Sequence, residues 1–286
     1  MSFAAKKSLG QHFLFNPVTL DKILALAGIG PEDRVLEIGA GPGALTGRIA
    51  ARAGRLVAVE KDPRFAKALQ EKFQGDPKVT IVEGDFLQMN LEKLLGTSSE
   101  GALRGRLDPA LPAEGATRAP PWKVIANLPY NVATEIIFHL LELSTFFHSF
   151  TVMVQKEVAD RIVAKPGSKT YGILSVMTQL FSENKIVMRL KPGSFAPPPK
   201  VDSAIVRFRI SDGCRFPINH LPTFETVVRS AFGQRRKTIL NALKGGGFAA
   251  EEIAAALKGA GISPQARAEM LPIEKFAALA NTLSLV

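Results

Sequence analysis

Arg34-Val35-Leu36-Glu37-Ile38-Gly39-Ala40-Gly41-Pro42-Gly43 decides the fold. Its first half is a short, mostly apolar run that ends in glycines, which reads as a buried strand. Its second half is a glycine turn, in which the backbone can bend tightly and approach a ligand with no Cβ in the way. Helical spacing resumes over 44–53, and a helix N-terminus beside such a turn offers unpaired N–H groups and the positive end of a dipole.

On either side, strands and helices alternate. Apolar positions between Val18 and Ala27 predict a helix that stops at Gly28 and Gly30. Arg55–Glu60 and Val79–Glu83 read as second and third strands, with a helix over Arg64–Phe73 between them. Val124-Ile125-Ala126 is a fourth strand, 133–143 a helix and 151–154 a fifth strand. Such alternation implies right-handed βαβ units and an open, twisted α/β sheet that binds its ligand at the carboxyl ends of the strands.

Two stretches break the pattern. Residues 96–121 hold four glycines and four prolines with little apolar content, and read as a surface loop insertion. Beyond about residue 211 the strand pattern gives way to helices, broken at Gly245-Gly246-Gly247, Gly259 and Pro264. The expected division is therefore 1–210 and a smaller helical domain over 211–286.

The chain has 286 residues and a formal net charge of +10, with a pI of about 9.8. That balance favours a polyanionic partner, nucleic acid first. The last 92 residues hold 12 Lys/Arg against 7 Asp/Glu, about twice the net positive charge density of the rest. No apolar run approaches the length needed to span a bilayer, and Lys6 and Lys7 without an apolar stretch behind them argue against a secretory signal. Cys214 is the only cysteine, so no intrachain disulfide or thiolate cluster is possible, and a reducing cytoplasm is the natural setting. Four scattered histidines make a metal site an unneeded assumption.

Gly39-x-Gly41-x-Gly43 departs from the G-x-G-x-x-G dinucleotide fingerprint, because residue 44 is alanine. Acids at the next two strand ends carry more. Glu60 is placed to accept both hydroxyls of a ribose, and Asp85 to meet an adenine amino group. Together with the glycine turn they predict a nucleoside-type cofactor. No hydride-transfer constellation supports NAD.

The fourth strand runs into Asn127-Leu128-Pro129-Tyr130. Here the chain resembles the adenine N6-methyltransferases that act on ribosomal RNA. Gln11-His12-Phe13-Leu14 is similar to that family's N-terminal cofactor segment. The stretch from Phe195 through Pro197-Pro198-Pro199 to Ala204 is similar to its late aromatic–proline motif, and 232–238 to its basic C-terminal helix. The match runs from about residue 6 to 243, nearest to the bacterial small-subunit ribosomal RNA adenine dimethyltransferases. The loop at 96–121 is longer than the family usually carries.

The resemblance implies a Rossmann-like class I methyltransferase sheet and S-adenosylmethionine as cofactor. It implies dimethylation of two adjacent adenines in a hairpin near the RNA's 3′ end, on the small ribosomal subunit. Cofactor contacts carry over to His12, Leu14, Gly39, Gly41, Gly43, Glu60, Asp85 and Asn127. The catalytic group is Asn127, Leu128, Pro129, Tyr130 and Phe195: the Asn127 side-chain carbonyl and Leu128 backbone carbonyl accept the N6–H groups, while Tyr130 and Phe195 cover the two faces of the base. Adenine N6 is a poor nucleophile because its lone pair is delocalised, and two such bonds favour a pyramidal nitrogen. Pro129, with its fixed φ, aims the turn.

Arg235, Arg236 and Lys237 are the expected phosphate contacts. Lys6, Lys7, Arg161, Lys165, Lys169, Arg207 and Arg209 are weaker candidates. A monomer is expected. The competing functions are a large-subunit RNA adenine methyltransferase, an assembly factor whose methylation is secondary, and a DNA adenine methyltransferase, for which no base-reading domain is evident.

Overall fold

The computed structural model describes residues 11–96, 121–234 and 236–283. Lys6, Lys7, Arg235 and almost all of the loop expected at 96–121 lie outside them. By contacts, the described chain forms two compact units, one of 11–96, 121–159 and 183–210, the other of 160–182 with the residues after 210. The division is thus not one cut near 210, since 160–182 cluster with the C-terminal helices.

The first unit is built on a seven-stranded sheet of β2 (Arg34–Ile38), β3 (Arg55–Glu60), β4 (Val79–Glu83), β5 (Trp122–Asn127), β6 (Phe147–Gln155), β7 (Ser182–Leu190) and β9 (Ser203–Ile210), in the order β4-β3-β2-β5-β6-β9-β7. From β4 to β6 all neighbours are parallel. β9 returns antiparallel to β6. A separate two-stranded pair joins β1 (Phe13–Leu14) to β8 (Phe195–Ala196). This is the twisted α/β sheet expected, with β2, β3 and β4 bounded as their apolar runs predict and β5 and β6 longer.

Strand order reverses between β2 and β5, and such a switch point opens a crevice at the strands' carboxyl ends. The strands around it are apolar on both faces because helices cover both sides of a parallel sheet. Val35, Leu36, Leu56, Val57, Ala58 and Ile125 are all almost fully buried. Helix Pro17–Ala27 starts where Asn16 accepts the Thr19 N–H at 3.1 Å with proline in the first turn. It ends at Gly28 with φ 61°, the asymmetry that proline and glycine impose on helix ends.

The second unit packs helices Ile173–Phe181, Leu221–Gly233, Ile239–Lys244, Ala250–Gly259 and Ile273–Ala280. Phe232 anchors it, with ring centroids 5.8 Å from Tyr171 and 5.6 Å from Phe276. Among the described residues no helix is long and apolar enough to cross a membrane.

Candidate active site

The glycine turn closes β2 against its neighbours. Gly41 has φ 54°, and a Cβ there would press on the Phe13 ring at 3.1 Å. Its N–H donates to Glu60 Oε2 at 2.7 Å. Gly43, with φ 83°, works differently. A Cβ at Gly43 would run into the Leu69 side chain of helix Pro63–Lys72, and Gly43 does not line the cleft. Its smallness serves close packing of the turn against that helix.

Glu60 ends β3 and is 5% exposed. Gly41 holds one carboxylate oxygen and the Asp62 N–H the other, each at 2.7 Å. The two bonds fix the direction in which the carboxylate points. Burial raises its pKa, and the backbone N–H groups of Asp62, Gly41 and Lys61 oppose the rise. Asp85 follows β4 and caps the short turn Phe86–Gln88, accepting the Leu87 N–H at 3.2 Å and the Lys61 ammonium at 2.6 Å. The Lys61 bond is the main reason that its carboxyl stays below the usual range.

Asn127 is the last residue of β5, and its Nδ2 donates to the His12 carbonyl at 2.8 Å. A carbonyl partner demands the amide nitrogen, so Oδ1 is the atom left to accept from elsewhere. The Leu128 N–H donates to Met153 O at 3.1 Å, and the Leu128 carbonyl accepts from no described residue. The Pro129 carbonyl closes the turn by accepting the Val132 N–H. Tyr130 shares a 2.6 Å hydrogen bond with Ser203 Oγ and stacks on the His12 ring, centroids 5.4 Å apart. Burial pushes its phenol pKa up.

These groups face one cleft of about 980 Å³, its open mouth included. Gln11–Phe13, Gly39, Gly41, Glu60, Asp85 and Asn127–Tyr130 all line it. A smaller recess of about 330 Å³ adjoins them, lined by Leu14, Glu37, Gly39, Gly41, Leu45 and Asn127. Glu37 escaped the sequence reading. It is 1% exposed, its Oε2 has no partner among the described residues, and burial pushes its carboxyl up to about 8 despite the neighbouring Thr46 hydroxyl. An acid flanked by Leu36 and Ile38 inside a strand was the available signal.

Phe195 is not brought to the cleft. It pairs with Leu14 across β1 and β8, is 3% exposed and packs in the core. Arg236 and Lys237 are exposed in the turn before helix Ile239–Lys244, not on the helix itself. Arg207 and Arg209 point outward from β9. Among the described residues no group of three His, Cys, Asp or Glu is placed to hold a metal.

Comparison with known proteins agrees with this geometry. The family described as ribosomal RNA adenine dimethylase matches residues 2–285. Ribosomal RNA small subunit methyltransferase A of Geobacter sulfurreducens is 42% identical over 281 residues, covering 98% of this chain and 95% of its own. Among solved structures, a dimethyladenosine transferase from Plasmodium falciparum superposes with a TM-score of 0.72 at 25% identity, covering 94% of this chain and 96% of its own. The 23S rRNA methyltransferase ErmE superposes with a TM-score of 0.65 at 28% identity, covering 95% and 99%. The chain belongs to the ribosomal RNA adenine dimethylase family.

Proposed function

We propose that the chain uses S-adenosylmethionine to dimethylate N6 of two adjacent adenines near the 3′ end of small-subunit ribosomal RNA. One observation carries this reading. The Asn127 amide is pinned through Nδ2, which leaves Asn127 Oδ1 and the Leu128 carbonyl as neighbouring acceptors on the cleft. The choice of small subunit rests on the 42% identical relative, against 28% for the large-subunit enzyme.

The residues present fit the cofactor. Glu60, aimed by the Gly41 and Asp62 N–H groups, is the acceptor for the ribose hydroxyls. Asp85 is an oriented acceptor for the adenine amino group. The buried Glu37 carboxyl, whose Oε2 has no partner among the described residues, and the Gly39–Gly41 turn suit the charged amino-acid end, with His12 and Leu14 forming the wall of the site. When bound, S-adenosylmethionine supplies a methyl group already activated by its sulfonium.

The chain's own work is alignment, which contributes on the order of 7–11 kcal/mol where it is well achieved. Asn127 Oδ1 and Leu128 O each hold one N6 proton of the target adenine, so the nitrogen lone pair turns toward the cofactor. Pro129 sets the turn that presents both acceptors. Tyr130 gives the base a face to stack on, worth roughly 1–3 kcal/mol. The base leaves its loop to reach this site. Phe195, paired with Leu14 and buried in the same core, supports β1 in this arrangement. Arg235, Arg236 and Lys237 contact RNA phosphates, and the protein works as a cytoplasmic monomer.

The test is transfer of label from S-adenosylmethionine to under-methylated small subunits, with large subunits and duplex DNA alongside. N6,N6-dimethyladenosine in the small-subunit RNA alone is expected. Label in large-subunit RNA would overturn the choice of substrate.

A further inference from the structure

Ser203 does not line the cleft, yet it reaches into the machinery. It is the first residue of β9, has no exposed surface, and pairs in register with Gln155 at the end of β6. The preceding residue is fixed as well, because the Asp202 carbonyl accepts the Lys156 N–H at 2.9 Å. From this rigid position Ser203 Oγ meets the Tyr130 hydroxyl at 2.6 Å. The Tyr130 ring is thus held at its hydroxyl end by Ser203 and braced on one face by His12. His12 is itself tied by Nδ1 to Pro197 O at 2.8 Å and by its carbonyl to Asn127.

We infer that Ser203 is a positioning residue that fixes the plane of Tyr130, and that the second methyl transfer depends on it more than the first. The inference rests on the N6-adenine reading above. An unmodified adenine brings two N6–H groups to Asn127 Oδ1 and Leu128 O. After one transfer a single N–H remains, so only one of the two acceptors can be engaged. The orientation of the monomethylated base then falls mainly to its stack on Tyr130, whose hydroxyl end one bond anchors into the sheet while His12 braces the ring face. Loosening that bond lets the first transfer proceed and leaves the second without a fixed geometry.

The experiment compares Ser203→Ala, Tyr130→Phe and the double variant on under-methylated small subunits, quantifying N6-methyladenosine and N6,N6-dimethyladenosine by mass spectrometry. Each single variant is expected to raise the monomethyl-to-dimethyl ratio about fivefold, the effect of one lost hydrogen bond. The double variant should match Tyr130→Phe alone, because both substitutions delete the same bond. A merely structural role for Ser203 would slow both transfers together and leave the ratio unmoved, which overturns the inference. So does additivity in the double variant. Should Ser203→Ala fail to fold, Tyr130→Phe still reads the same bond from its other end. Absence of dimethyladenosine with the wild-type protein would instead overturn the reading on which the inference rests.

Discussion

The Gly41 N–H and the Glu60 carboxylate are joined at 2.7 Å, so the glycine turn after β2 aims the acid that ends β3. The two features that sequence treats as separate motifs are one hydrogen-bonded unit. Replacing Glu60 by Gln sets an amide NH₂ against either the Gly41 or the Asp62 N–H, donor against donor. Glu60→Gln should weaken S-adenosylhomocysteine binding by about 10- to 100-fold, as expected for lost bonds to a charged acceptor. Titration calorimetry checks this, and unchanged affinity would remove Glu60 from the cofactor site.

Glu37 gives the protein a pH-dependent stability term. Its folded pKa of about 8 stands above the ordinary carboxyl value of 4.5. Between those values the folded state keeps a proton that the unfolded state has lost. Stability therefore falls as pH rises from about 4.5 to about 8 and levels off above, by up to about 1.4 kcal/mol per pH unit. Glu37→Gln keeps the shape without the ionisation, so its melting temperature should change less across that window than that of the wild type. Parallel curves for the two proteins would contradict the assignment.

Gly43 is predicted to matter for folding rather than for ligand contact. Gly43→Ala forces a side chain into φ 83° and into Leu69. A loss of about 1–3 kcal/mol in denaturant unfolding is expected from strain and overpacking. An unshifted midpoint would show that the turn has room.

What was legible follows from locality. β2 and β3 could be read to the residue because a doubly covered parallel strand is one apolar run between breakers, and the half-exposed edge strand β4 because its short apolar run stops at Gly84; Glu60 and Asp85 stand just where such runs stop. β9 could not, because Ser203–Ile210 owes its place to antiparallel pairing with the distant β6, and register across a sheet is a tertiary fact. The two-residue pairing of β1 with β8 is too short to leave a pattern, and that pairing turns Phe195 inward. The association of residues 160–182 with the C-terminal helices, and the bond between Tyr130 and Ser203, likewise join positions far apart in the chain. Glu37 was visible as a residue, but its burial was not.

The exposed pair Arg236 and Lys237 should act through phosphates. Replacing both with Ala is expected to reduce RNA affinity and to lower the slope of log affinity against log salt by about 1.4–1.8, the contribution of two phosphate contacts. A slope equal to that of the wild type would move the RNA surface elsewhere.

The most direct test of the account is single-turnover methyl transfer by Asn127→Ala, with S-adenosylhomocysteine affinity measured on the same preparation. Loss of Oδ1 removes an acceptor that orients N6, so transfer should fall by about 100-fold or more, as when a positioned polar group is deleted from an active site. Cofactor affinity should fall far less, because Glu60 and Asp85 remain. Transfer at the wild-type rate would contradict the placement of adenine N6 between Asn127 and Leu128.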